Sequence, residues 1–146
     1  MNIGIVLYSQ TGNALSVAEK LQAKLEGMGH NVAIERLAGA GDPPVVVDAT
    51  KYEGLIFASP VQAFRLAQPM DAFLAGLPAL EGRTCACYVT KSFANDWTGG
   101  NKAISQLRKA IEGRGGRVAG HGILAWNSKT RDNDIATLVE KFSTLF

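Results

Sequence analysis

Residues 8–21 read YSQTGNALSVAEKL, a run of small polar residues set between an apolar segment and a periodic one. Upstream, residues 3–8 (IGIVLY) form a continuous apolar run that suits a strand buried on both faces. Downstream the period changes. Ala14, Val17, Ala18, Leu21, Leu25 and Met28 recur at three- and four-residue spacing, while Ser16, Glu19, Lys20 and Lys24 fall elsewhere on the wheel. A strand, a polar turn and an amphipathic helix therefore follow in order, with Asn13 the expected N-cap and Gly29 the expected C-terminal stop.

The alternation continues along the chain. NVAIER (31–36) reads as a second strand, more exposed and so nearer an edge. Residues 37–52 mix Gly and Pro without helical period, which predicts a loop or a single helical turn. GLIFAS (54–59) is a third, buried strand, and Met70, Phe73, Leu74 and Leu77 mark a helix starting near Pro69. TCACYVT (84–90) is the fourth strand. Ala103, Ile104, Leu107, Ala110 and Ile111 define a helix ended by Gly113, and RVAGHGILAW (117–126) is the fifth strand. Ile135, Leu138, Val139 and Phe142 carry a last helix, with Asp132 and Asp134 where a helix N-terminus favours negative charge. Strands alternating with helices imply parallel strands and right-handed crossovers. The expectation is one α/β domain over residues 1–146, a three-layer α/β/α sandwich around a five-stranded parallel sheet.

Composition narrows the function. The N-terminus MNIGIVLYS has no basic lead-in and reaches a polar turn at Ser9, so neither a signal peptide nor a membrane span is expected and the location expected is cytoplasmic. Net charge is +2, with the cations scattered. The densest basic stretch, RKAIEGRGGR (108–117), is diluted by Gly and Glu and lacks interleaved aromatics, so it reads as a solvated helix end and no nucleic-acid partner is expected. Cys85 and Cys87 lie two apart on a strand, where a disulfide would distort the backbone, and no second ligand pair makes a zinc site. Both read as reduced core thiols, with no metal expected. His30 and His121 have no partner at ligand spacing and read as structural. No catalytic acid or base is expected.

In such sheets ligands bind beyond the carboxyl ends of the strands, where strand order reverses. After the first strand come Ser9, Gln10, Thr11, Gly12 and Asn13, whose hydroxyls, amides and backbone N–H groups lead to a helix N-terminus that favours an anion. The loop has no lysine and no G-x-x-x-x-G-K-[ST] pattern, which argues against a nucleoside triphosphate, and the G-x-G-x-x-G fingerprint is missing as well. A monophosphate held by neutral donors fits best; the other reading is a cap turn that binds nothing. After the third strand, SPVQAFRLAQP (59–69) is apolar for a loop; after the fourth, TKSFANDWTGG (90–100) carries Phe93 and Trp97. Aromatics in two loops at one edge suit a flat aromatic ligand. Phe64 and Phe93 taken singly read as residues tucked under their loops, and Trp97 as the better stacking face.

These three loops together resemble the short-chain flavodoxin-like FMN proteins: Ser9-x-Thr11-Gly12-Asn13 after the first strand, Ser59-Pro60-Val61 after the third, and an aromatic, glycine-bearing loop after the fourth. The resemblance runs over essentially the whole chain. It implies strand order 2-1-3-4-5 and FMN at the switch between strands one and three. Ser9, Gln10, Thr11, Gly12, Asn13 and Ala14 would then form the 5′-phosphate loop. Ser59, Pro60, Val61, Gln62, Ala63 and Phe64 would line one side of the isoalloxazine. Thr90, Lys91, Ser92 and Phe93, with Trp97 and Gly99, would contact its pyrimidine edge and other face.

Two features depart from that family. It usually has Thr or Ser where this chain has Ala14. Losing one hydrogen bond to a charged group costs about 1.5–3 kcal/mol, or roughly 10- to 150-fold in affinity, with Ser16 a partial substitute. Electron-carrying members are also typically acidic, whereas this chain has a pI of about 8.6, with Arg65 and Lys91 in the flavin loops against Asp96. A cation there would stabilise the reduced, anionic flavin and raise its potential. The leading expectation is a redox protein passing electrons between partner proteins, a monomer or weak homodimer. The alternative is an FMN-dependent NAD(P)H:quinone or nitro-reductase, ranked second because no insertion builds a nicotinamide site; a third is a binding module that has lost the cofactor.

Overall fold

The computed structural model describes residues 1–39, 41–43, 45–93 and 99–146. Its elements are β1 (Asn2–Leu7), α1 (Asn13–Gly27), β2 (Asn31–Arg36), a single 3₁₀ turn (Ala49–Lys51), β3 (Gly54–Gln62), β4 (Arg65–Leu66), α2 (Gln68–Ala75), β5 (Thr84–Lys91), α3 (Gly100–Gly113), β6 (Arg117–Ala125) and α4 (Arg131–Ser143). The main strands are all parallel, in the order β2-β1-β3-β5-β6, and β4 is a two-residue antiparallel partner of β3. With β4 set aside, this is the expected order 2-1-3-4-5.

The apolar runs are continuous because both faces of the sheet are covered. Alternate residues go to opposite sides: Ile3, Ile5, Leu7, Ile56, Ala58, Ala86 and Tyr88 pack with α1 and α4, while Val6, Leu55, Phe57, Cys85, Cys87 and Val89 pack with α2 and α3. Cys85 and Cys87 are buried, unbridged thiols on the second of these faces. Burial pushes both up to about 12, so they are protonated at neutral pH. No helix among the described residues is long and apolar enough to cross a membrane.

Two local expectations are corrected. Asn13 is the first helical residue of α1 rather than its N-cap; Gly12 takes that place in the left-handed conformation, φ 91°, without a side-chain cap. Residues 59–69 are not simply a loop, because β3 runs on through Pro60 to Gln62 and returns as β4. Pro60 sits in a ladder, opposite Thr90, at the end of β3 where pairing gives way to the hairpin.

Candidate functional site

Three segments meet beyond the carboxyl ends of β1, β3 and β5. The first begins where Tyr8 extends the sheet, its N–H donating to Ala58 O at 3.1 Å. The chain then turns through residues 9–12 into α1. Two N–H groups of the first turn are satisfied locally: Leu15 donates to Ser9 Oγ at 3.4 Å and Ser16 to Gly12 O at 2.9 Å. The backbone N–H groups of Thr11, Gly12, Asn13 and Ala14 have no protein acceptor among the described residues. Successive open donors at the positive end of a helix make a cradle for an anion.

Ala14 itself is only 1% exposed and its methyl group lies in the core under α1, so what it offers this turn is its N–H. Ser16 does not make up for the missing hydroxyl, because its Oγ donates to Asn13 O at 2.8 Å. Beneath the turn, the buried Tyr88 hydroxyl donates to Ala14 O at 2.8 Å and ties the start of α1 to β5.

The second segment is the hairpin of β3 and β4. Val61 pairs with Leu66 and Gln62 with Arg65, leaving Ala63 and Phe64 as a two-residue turn, both at positive φ (50° and 64°). Asn-Gly normally fills such turns, and each left-handed non-glycine residue costs about 1–2 kcal/mol. The surroundings hold it in place. Leu66 is buried and its N–H donates to Gln106 Oε1 of α3 at 2.9 Å. Gly99, the N-cap of α3, lies directly against the Phe64 backbone.

The third segment is the end of β5. Trp126 N–H donates to Lys91 O at 2.8 Å and Asn127 N–H to Ser92 O at 3.1 Å, which prolongs the pairing with β6 beyond both strands. Thr90 is buried.

A cavity of about 140 Å³ lies where the three meet, lined by Gln10, Thr11 and Asn13, by Pro60, Val61 and Gln62, and by Thr90, Lys91 and Ser92. Every one of these nine residues is among those expected from the sequence. The Gln62 amide donates to Gln10 Oε1 and bridges the first two segments. Ser59 is not at this surface: it is fully buried, its hydroxyl turned onto Pro60 O at 2.9 Å. Phe64 and Phe93 are 59% and 58% exposed, so neither is tucked under its loop. Arg65 stands apart from the cavity, in a half-exposed pair with Asp71 at 3.5 Å. Asp96 and Trp97, the expected stacking face, lie outside the described residues.

Arg36 escaped the sequence reading. Its guanidinium donates to Ser9 O at 3.4 Å and brings a cation to a loop that has none of its own. Parallel pairing of Leu7 with Arg36 is the signal that could have found it, since it sets the end of β2 beside the end of β1. A larger concavity, about 480 Å³, lies over residues 126–133 beyond the end of β6. There Thr130 Oγ1 bonds Asp134, and Arg131 stacks 5.2 Å from the Trp126 ring centre and donates to Trp126 O.

No protein-family model and no curated protein sequence matches the chain. Solved structures do match, over nearly the whole of this chain. Oxidised flavodoxin 2 from Bacillus cereus is 18% identical, with all of both chains covered and a TM-score of 0.75. Two-electron reduced flavodoxin from Megasphaera elsdenii is 19% identical, with 95% of this chain and 98% of that one covered and a TM-score of 0.71. A flavodoxin, WrbA-like protein from Agrobacterium tumefaciens is 13% identical, covers 99% of this chain and 94% of its own, and has a TM-score of 0.78. Parallel strands in the order β2-β1-β3-β5-β6, helices on both faces and end-to-end superposition together identify the architecture as the flavodoxin fold.

Proposed function

We propose that the chain is an FMN-binding redox protein that carries electrons between partner proteins. The observation that carries this reading is the run of open N–H donors from Thr11 to Ala14, set in one cavity with the hairpin and the end of β5. A phosphate monoester matches that donor set: the N–H groups, the Thr11 hydroxyl and the Asn13 amide bind it without a metal, and Arg36 supplies a nearby charge. At about 140 Å³ the cavity is smaller than a ligand pocket of roughly 300 Å³ or more. It therefore takes the phosphate end and leaves flat rings at the rim, where Phe64 and Phe93 stand exposed.

When bound, FMN supplies the one- and two-electron chemistry. The chain's own residues bind, orient and tune it. Gln10 and Gln62 close the gap between the phosphate turn and the hairpin. Lys91 brings a positive charge that favours the reduced, anionic flavin. The redox states named for the Bacillus and Megasphaera proteins accord with electron transfer on this fold.

The test has two stages. Added FMN should give the protein flavin absorbance and lose its fluorescence. The loaded protein should then exchange electrons rapidly with a flavoprotein reductase and consume NAD(P)H slowly by itself. Steady NAD(P)H consumption with a quinone would assign the reductase reading instead.

A further inference from the structure

β6 ends the strand order and, among the described residues, pairs only with β5, so one of its edges faces outward along Arg117–Ala125. Beside that edge a groove of about 390 Å³ runs between β6 and α3. Ile104 and His121 lie along it, with Ser105, Arg108, Lys109 and Glu112 from the flank of α3. None of them lines the cavity at the ends of β1, β3 and β5.

Two cations against one acid leave the groove lining with a net positive charge, and a third cation stands beside it. Arg108 and Lys109 come from α3, and Lys141 reaches round from α4 to donate its Nζ to His121 O at 2.8 Å. The acid in the groove is Glu112, 3.7 Å from Arg108 in a half-exposed pair. The surroundings register in His121, whose pKa is held below the usual histidine value first by partial burial and then by Arg108 and Lys141. Lys141 on an edge carbonyl also discourages indiscriminate pairing, which is how natural sheets protect their edges. An incoming strand would take over the His121 carbonyl from Lys141.

We propose that this groove is a docking site for an extended acidic segment of a partner protein, added as a strand to β6 with its carboxylates on Arg108 and Lys109. Strand addition supplies the backbone hydrogen bonds, and the cations select sequence and direction. A second copy of this chain is disfavoured as the occupant, because edge-to-edge pairing of β6 would bring the same cations face to face. The proposal is independent of FMN binding.

The test uses the full chain, labelled with ¹⁵N, and the blocked peptide Ac-Glu-Val-Glu-Val-Glu-Val-NH₂ at low ionic strength. Amide shifts should concentrate in residues 117–125 and on the 104–112 flank of α3. Affinity should fall with added salt, and a peptide with Lys for Glu should not bind. Arg108→Glu with Lys109→Glu should weaken binding by at least about tenfold in a protein that stays folded with a slightly lower Tm, and Lys20→Glu, on α1, should not. Arg108→Gln should weaken it less, and tests the same point if the double variant fails to fold. Shifts scattered elsewhere, no binding of the acidic peptide, or equal binding by the charge-reversed variants would overturn the proposal. So would sedimentation equilibrium showing a dimer whose interface is β6.

Discussion

Gly99 and Phe64 make a backbone-to-backbone contact so close that a Cβ on Gly99 would lie 2.2 Å from Phe64 O and 2.5 Å from its Cα. The two residues come from different sides of the proposed site, one the start of α3 and the other the strained tip of the hairpin. A side chain at position 99 would meet backbone, which has no rotamer to give way. Gly99 also has φ +94°, so the position is barred to other residues twice over.

Gly99→Ala should destabilise the fold by about 2–5 kcal/mol, combining left-handed strain with overpacking. It should also weaken FMN binding by displacing the hairpin. Gly12 is the control: its φ is +91° but nothing lies within 4 Å of an added Cβ. Gly12→Ala should therefore cost only the strain, about 1–2 kcal/mol. Urea denaturation of both variants makes the comparison, and equal losses would show that the Gly99 contact is not rigid.

The hairpin has a second tie to α3. Gln106→Leu leaves the buried Leu66 N–H without its acceptor and should cost about 1–3 kcal/mol. Hydrogen exchange at the Leu66 amide should quicken more than at the β3 amides. An unchanged rate there would mean that water or another group replaces Gln106.

Stability should fall on both sides of neutrality, for different reasons. The Cys85 and Cys87 thiols and the Tyr52 phenol are each pushed up to about 12, chiefly by burial, with the Glu35 carboxylate 2.6 Å from Tyr52 Oη contributing to the last. The folded state keeps these protons longer than the unfolded chain does. Their contribution is whole below the unfolded values, about 8.5 for thiols and 10 for the phenol, and is lost as pH rises toward 12. His121 works in the opposite direction: with its pKa lowered, the unfolded chain takes up the proton more readily, so stability falls as pH drops below about 6.5. His121→Asn should flatten the acid limb of a Tm-against-pH profile and leave the alkaline limb alone. Both thiols should resist Ellman's reagent at pH 8 until the protein is unfolded.

Lys91→Ala should lower the reduction potential of bound FMN, because a positive charge at the cavity is removed from beside the reduced anion. Arg65→Ala should shift it less, since Arg65 pairs with Asp71 outside the cavity. Potentiometric titration of the two loaded variants separates them; no shift in Lys91→Ala would remove it as a tuning residue.

The fold was legible because burial writes itself into period. Ile3, Ile5 and Leu7 against Val6, and the three- and four-residue spacing from Ala14 to Leu25, needed only the alternation of strand and helix to be read as layers. The hairpin was not, because Ala63-Phe64 carries none of the turn chemistry that Asn-Gly would announce, and Pro60 looks like a strand breaker. Its geometry is imposed from outside, by Gly99 and Gln106. The cavity residues were legible because they follow strand ends directly. Arg36 lies 27 residues from Ser9 and joins it only through strand register. The cap of α1 was misassigned because Asn13 has the right chemistry one position too late, with Gly12 supplying the left-handed turn.

The most direct test of the central claim is a pair of fluorescence titrations of the purified chain, one with FMN and one with riboflavin, each followed by the visible spectrum. The open donors from Thr11 to Ala14 predict quenching and shifted flavin bands with FMN, and at least about tenfold weaker binding of riboflavin, which lacks the phosphate. A protein that leaves FMN fluorescence and absorbance unchanged, or binds riboflavin equally well, would contradict the account.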